Sequence, residues 1–379
     1  MKIKGLVITV LTMCLALVLV ALPFLVACTG TTPTPAPSPS PTPSPTPTPT
    51  PTPSPETFDL KFATPWPPPP FKWGVLFEAW AEDVGELSGG KCTVTVHHAG
   101  TLAAGPDIAP SLLGGLAEIG LIVPAYYSPG EFPVSSGLFS LPLPIAGGFQ
   151  QATSQMFERV LDAGYLSEYD DFKLVWLEGS PAQPMILVDK KVTSLEELRG
   201  LKIRAAGAGM SSMVEALGAT PINVPSPEVY MSLERGIIDG ALMSTTGIVK
   251  ETMYDVTKYM LWDDSIMTYG VFSIALPREL WNSLPGDVQL AILEAGKKMH
   301  WENWDQAYYE TVDTFKAYKE GGRESLELSP AESARWAALV APVADNWAAD
   351  LDAQGFPASE ALELALFIAA QYGPPRYYK

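Results

Sequence analysis

The side chain best placed to do chemistry is Arg204, in the stretch LKIRAAGAGMSSM (201–213). It closes a short run of alternating apolar residues and is followed by small residues and glycines, the pattern of a strand ending where a helix begins. A guanidinium at that point can make two parallel hydrogen bonds to a carboxylate. Backbone N–H groups at a glycine-rich helix start, aided by the helix dipole, also favour an anion. Lys202 and Arg204 share strand parity, so the same residues equally fit two solvated charges on an exposed face. Gly207, Gly209 and Ser212, with Glu228 downstream, half-match a dinucleotide fingerprint, but a serine stands in the third glycine's place and argues against that reading.

Catalytic sets are sparse. His97 and His98 are adjacent in a probable strand, point to opposite faces and cannot jointly clamp a metal; His300 is the third histidine. The chain has no HExxH, CxxC, GxSxG or phosphate-loop pattern. A secreted enzyme would need a nucleophile–base pair that the sequence does not display. No enzyme, cofactor or metal is therefore expected, although Glu178, after the strand-like KLVWL, is the one candidate metal ligand. Of three cysteines, Cys14 and Cys28 lie at the N-terminus, so Cys92 has no partner for an internal disulfide and reads as a small buried hydrophobe.

The elements that must position these groups fill a long chain. Its 379 residues are enough for two domains, 47% of them are hydrophobic, and the formal net charge of −18 argues against a nucleic-acid partner. Residues 1–27 read as a signal segment, with Lys2 and Lys4 before the apolar run Gly5–Ala27. LVAC (25–28) resembles the bacterial lipobox, which makes Cys28 the expected lipidation site and the protein a membrane-tethered, extracytoplasmic lipoprotein; an uncleaved anchor is the alternative. Residues 28–57 form a Pro/Thr/Ser-rich tether; proline at nearly every second position forbids helix and sheet, and its 31–55 stretch reaches on the order of 80 Å. Its serines and threonines permit O-linked sugar.

From Phe58 the chain alternates between strand and helix. Strands are expected at 58–63, 92–97, 119–125, 173–177, 184–188, 201–205, 221–224, 239–243 and 270–276, with helices near 74–88, 107–116, 210–217 and 227–235. Residues 285–320 read as one long helix, and 330–371 as helical again. This is the grammar of parallel α/β sheets. We expect one lobe from 58–182 with a return segment near 265–290, and a second from 183–262 with helical parts of 291–379. Ligands in such folds bind at the carboxyl ends of strands, in clefts between lobes.

The segment TSLEELRGLKIRAAGAGMSSMVEALGATPINVPSPEVYMSLERGIIDGALMS (193–244) resembles the signature region of the solute receptors of tripartite ATP-independent periplasmic (TRAP) transporters, the DctP-type family. LRGLKIR and ALGATPINVPSPEVYMSLERGIIDG carry most of that likeness, and VHHAGTLAAGPD, LAEIGLI and YYSPGEFPVSSGLFSLPL support it upstream. The resemblance implies a two-lobed α/β receptor that closes around a hinge, a long helix spanning both lobes, a small organic acid as ligand and a TRAP permease as partner. It implies that Arg204 pairs with the ligand carboxylate. The second arginine that many members carry upstream is absent from SPAQPMIL (180–187), and DGALMS replaces their more polar DGQENP, with Met243 at a polar position. A monocarboxylate with an apolar or aromatic body is therefore expected. Trp66, Trp176, Met185 and Met243 are candidates to line its pocket, with Tyr126 and Tyr127 after the third strand and Ser244 and Thr245 as hydroxyl donors. A surface lipoprotein that senses a ligand for a signalling partner would use the same closing fold.

Overall fold

The structure is a computed structural model that describes residues 56–128, 130–143 and 150–372, leaving aside the side chains of 249–250, 301–312 and 315. The expected signal segment, Cys28 and nearly all of the expected tether lie outside the described residues.

The chain builds two sheets. The first draws on β1 (Phe58–Ala63), α1 (Lys72–Leu87), β2 (Cys92–His97), α2 (Ile108–Leu113), β3 (Ile119–Ile122), α3 (Pro133–Leu138), α4 (Gln150–Asp162) and β4 (Phe172–Gly179). The chain then crosses to β5 (Met185–Leu187), α5 (Leu195–Leu198), β6 (Lys202–Arg204), α6 (Ala208–Ala216), β7 (Thr220–Ile222), α7 (Val229–Glu234), β8 (Gly240–Leu242), α8 (Thr245–Lys250) and β9 (Tyr259–Leu261). It returns through β10 (Val271–Pro277) and α9 (Arg278–Ser283) to α10 (Gly286–Glu320), β11 (Glu324–Leu326), α11 (Pro330–Val340), α12 (Pro342–Asp352) and α13 (Ala358–Gln371). The orders are β2-β1-β3-β10-β4 and β11-β9-β5-β8-β6-β7.

Neither sheet is wholly parallel, contrary to the expectation from the alternating pattern. β10 runs antiparallel between β3 and β4, and β5 runs antiparallel between β8 and β9. The cause is the route of the chain. Each of these strands is entered directly from the other sheet, so it starts at the edge where its neighbours end. The two crossing segments are tied together by Ser180 N–H to the Gly270 carbonyl (2.7 Å) and Gln183 N–H to that of Thr268 (3.0 Å). β3 also stops earlier than expected, because Pro124 opens a 3-10 turn over Pro124–Tyr126.

α10 spans 35 residues, about 52 Å at 1.5 Å per residue. It packs along α1, α4 and β4 on the first sheet's side and along α8 and β11 on the second's, so one rigid rod touches both lobes. The last helices, expected beside the second lobe, are shared: α12 meets α3 and α6, and α13 lies on α3 and α4. In the first lobe's core, Phe62 meets Phe77 and Trp80 edge-on at 5.1 and 5.6 Å between centroids, a favoured aromatic geometry.

Candidate ligand site

A cavity of about 100 Å3 lies where the strand ends of the two sheets meet. Its position follows from the topology: parallel strands of both sheets stop there, and the two antiparallel strands begin there. Trp66 in the loop after β1, Ala125 and Tyr126 after β3, and Gly270 to Phe272 at the start of β10 come from the first lobe. Arg204 at the end of β6, Ser226 after β7, and Met243, Ser244 and Glu251 after β8 come from the second.

Arg204 sits on the second lobe's side with 4% of its surface exposed. Its parity with the exposed Lys202 does not keep it on the surface, because β6 is only three residues long and Arg204 is its last. Nε donates to the Val224 carbonyl (3.0 Å) and Nη1 to that of Leu242 (2.6 Å). These bonds use two of the five guanidinium N–H groups and lock the plane of the group. Burial lowers its pKa from the usual value, opposed by Tyr126 and Glu251.

Opposite stands an aromatic wall. Trp66 meets Phe272 at 4.9 Å and Trp73 at 5.4 Å, Trp73 meets Phe272 at 4.9 Å, and Phe71 packs against Trp66. The Lys72 ammonium also reaches the cavity and lies 5.4 Å from the Trp73 ring centroid. Tyr126 joins the two sides: its hydroxyl accepts from Trp66 Nε1 (3.4 Å) and from the Ser226 N–H across the cleft (3.2 Å). With both bonds accepted, the phenol proton is left to donate; burial pushes its pKa up.

Of the residues expected from sequence, Arg204, Trp66, Tyr126, Met243 and Ser244 line the cavity, and four do not. Tyr127 is buried, takes the Ala109 N–H on its hydroxyl (3.0 Å) and packs on Phe132. Trp176 lies behind the wall, against Trp73 and Phe272. Met185 is fully buried in β5, with β8 and β9 on either side. Thr245 opens α8 fully buried, its carbonyl taken by the Thr314 hydroxyl, and Thr246 lines the cavity in its place. Glu178 is fully buried away from the cavity, bonded to the Ser154 hydroxyl (2.5 Å) with His300 Nδ1 at 3.3 Å. Among the described residues no group of three or more His, Cys, Asp or Glu side chains is placed to hold a metal ion.

The glycine-rich start of α6 also differs from expectation. Gly207 has φ +92°, which turns the chain from β6 into α6, a conformation that glycine reaches without strain. The turn sets Gly209 against α3, while Met210 of the same helix lines the cavity. The Gly209 N–H is held by the Ser140 hydroxyl (2.9 Å), and a Cβ at Gly209 would come within 2.7 Å of α3 backbone. The helix-start amide of Gly209 is thus occupied by Ser140, and the cavity's cationic side chains are Arg204 and Lys72.

Phe71, Trp73, Gln183 and Glu251 were missed. PWPPPPFKW (65–73) gave a signal for the first two, as three aromatics in one stiff loop. Glu251 gave none, being one carboxylate among 42 acidic residues. Its oxygens accept from the Ser226 hydroxyl at 3.2 and 3.3 Å, and burial raises its carboxyl pKa to about 7, against the lowering effects of Ser226 and Arg204.

Comparison with known proteins agrees with this architecture. Residues 62–350 match the family profile "Bacterial extracellular solute-binding protein, family 7", DctP. The chain is 26% identical over 175 residues to the C4-dicarboxylate-binding periplasmic protein DctP of Rhodobacter capsulatus, covering 45% of this chain and 51% of that one. It is 29% identical over 166 residues to a monocarboxylate 2-oxoacid-binding periplasmic protein of Nostoc sp., covering 43% and 44%. The matched stretches thus span about half of these curated relatives. Among solved structures, a TRAP solute-binding protein of Rhodoferax ferrireducens in complex with copurified benzoate superposes with a TM-score of 0.74 at 22% identity, over 83% of this chain and 98% of that one. A marine metagenome TRAP solute-binding protein specific for aromatic acid ligands gives 0.73 at 23%, over 83% and 99%. The fold is that of a two-lobed periplasmic receptor, and the chain belongs to family 7 of the bacterial extracellular solute-binding proteins, the DctP family.

Proposed function

We propose that this receptor captures a small monocarboxylate with an aromatic or apolar body and delivers it to a TRAP-type permease. One observation carries the reading. A buried guanidinium, fixed by two backbone carbonyls, lies across the cavity from Trp66, Phe71, Trp73 and Phe272. A carboxylate on the remaining N–H groups of Arg204 would satisfy a charge that is costly to bury alone. The ring-lined wall would take an apolar body, and the Tyr126 hydroxyl would add a donor. The relatives named for benzoate, aromatic acids and 2-oxoacids are in keeping with this class. We further propose that lipid on Cys28 and the proline-rich tether hold the receptor near its permease, raising its effective concentration there.

Native mass spectrometry of the purified receptor, followed by denaturing extraction, tests the ligand assignment. The expected result is a bound organic acid that is lost in Arg204→Ala, with affinity reduced by about 30-fold or more, the ~2 kcal/mol lower bound for truncating one partner of a buried charge pair. An acid retained at full affinity by Arg204→Ala refutes the anchor.

A further inference from the structure

Among the described residues Glu251 is the only acidic side chain that lines the cavity holding Arg204. It also lines a second cavity of about 220 Å3, with Pro227, Tyr230 and Met253. Trp66 and Phe71 are shared by both spaces as well, so the carboxyl sits in a largely aromatic partition. The Ser226 hydroxyl, beside the backbone N–H that meets Tyr126, holds its oxygens in place.

Such a carboxyl conflicts electrostatically with the function proposed above, on which this inference rests. A ligand carboxylate seated on Arg204 brings a second negative charge into a confined, weakly hydrated space. Two carboxylates that share such a site do not both stay ionised. Arg204 favours the ionised form of the group it pairs with, so the proton goes to the other one. We propose that the receptor takes up its carboxylate together with one proton, which Glu251 accepts as the ligand seats on Arg204. Glu251 is then a positioning and specificity residue: neutral, it tolerates the anion and can donate a hydrogen bond to it; charged, it repels it.

Burial holds Glu251 near pH 7 in the ligand-free receptor, so the coupling would operate close to neutrality. Among the described residues, the other charged or titratable groups facing the two cavities are Arg204 from β6, Lys72 from α1, Tyr126 after β3, Tyr230 from α7 and Tyr269 before β10. None of these residue types ordinarily titrates between pH 6 and 8, and no histidine lines either space.

Calorimetric titration with sodium benzoate at pH 6, 7, 8 and 9 tests the coupling in wild type, Glu251→Gln and Ser226→Ala. In wild type, affinity should be flat below pH 7 and fall about tenfold per pH unit above it. At pH 8, heats measured in buffers of different ionisation enthalpy should report close to one proton taken up per benzoate bound. Glu251→Gln should bind with pH-independent affinity. Ser226→Ala removes a bond that favours the ionised carboxyl, and should move the onset of weakening to higher pH. Equal pH slopes in wild type and Glu251→Gln, or no proton uptake at pH 8, overturn the coupling and leave the receptor assignment standing. Benzoate bound by none of the three proteins at any pH overturns the aromatic monocarboxylate assignment, and the coupling with it.

Discussion

Replacing Glu251 by glutamine should change how the ligand-free receptor's stability depends on pH. The carboxyl is raised from 4.5 to about 7 in the folded protein, chiefly by burial, with Ser226 and Arg204 pulling the other way. A carboxyl whose folded pKa lies above its unfolded value is held more tightly in its protonated form by the fold. Its contribution is fully present below pH 4.5, declines as pH rises, and is gone once pH passes about 7. The 2.5-unit difference corresponds to roughly 3 kcal/mol at 1.36 kcal/mol per unit. Glutamine keeps the shape and an oxygen for the Ser226 hydroxyl but never ionises. Urea unfolding of both proteins at pH 4.5, 6, 7 and 8 isolates the effect, because all other groups cancel in the difference. Glu251→Gln should gain about 3 kcal/mol relative to wild type between pH 4.5 and 8, most of it below pH 7. Profiles that stay parallel across this range would show that Glu251 titrates as an ordinary exposed carboxylate and would refute the argument from burial.

Two further outcomes follow from groups outside the cavity. Ser140→Ala leaves the buried Gly209 N–H without its acceptor and should cost about 1–3 kcal/mol in urea unfolding, with faster hydrogen exchange at that amide; an unchanged midpoint would mean that the α3–α6 contact does not depend on it. Cys92 is fully buried, and burial with nearby Asp59 pushes its thiol up to about 11, so a thiol reagent at pH 8 should label it only after denaturant is added, and rapid labelling of the native protein would contradict its placement.

What could be read from the sequence was set by chain-local chemistry. β1, β2 and α10 announced themselves through period-two alternation or an uninterrupted helical pattern. Arg204 stood out because a strand end before glycines is a recognisable local event. The antiparallel β5 and β10 were hidden, since strand direction depends on which sheet the chain has just left. Thr245 and Thr246 are neighbours and both are buried, yet only Thr246 lines the cavity; no local pattern separates them. Glu251 was invisible for a related reason: its altered acidity comes from burial beside cavities whose walls include residues far away in sequence, Trp66 and Phe71 among them.

The two walls of the cavity have different chain origins, and this bears on how the receptor can change. The guanidinium held by two backbone carbonyls stands at the end of β6 in one lobe, and the aromatic surface comes mostly from residues 66–73 and Phe272 of the other. In the proposed binding mode, recognition of the acid group and discrimination among acid bodies are encoded in separate stretches of sequence. On that reading, drift in the PWPPPPFKW segment would retune selectivity while the guanidinium and its two carbonyl partners remain intact. A library confined to that segment would then vary the acid body accepted and leave the anchor unchanged.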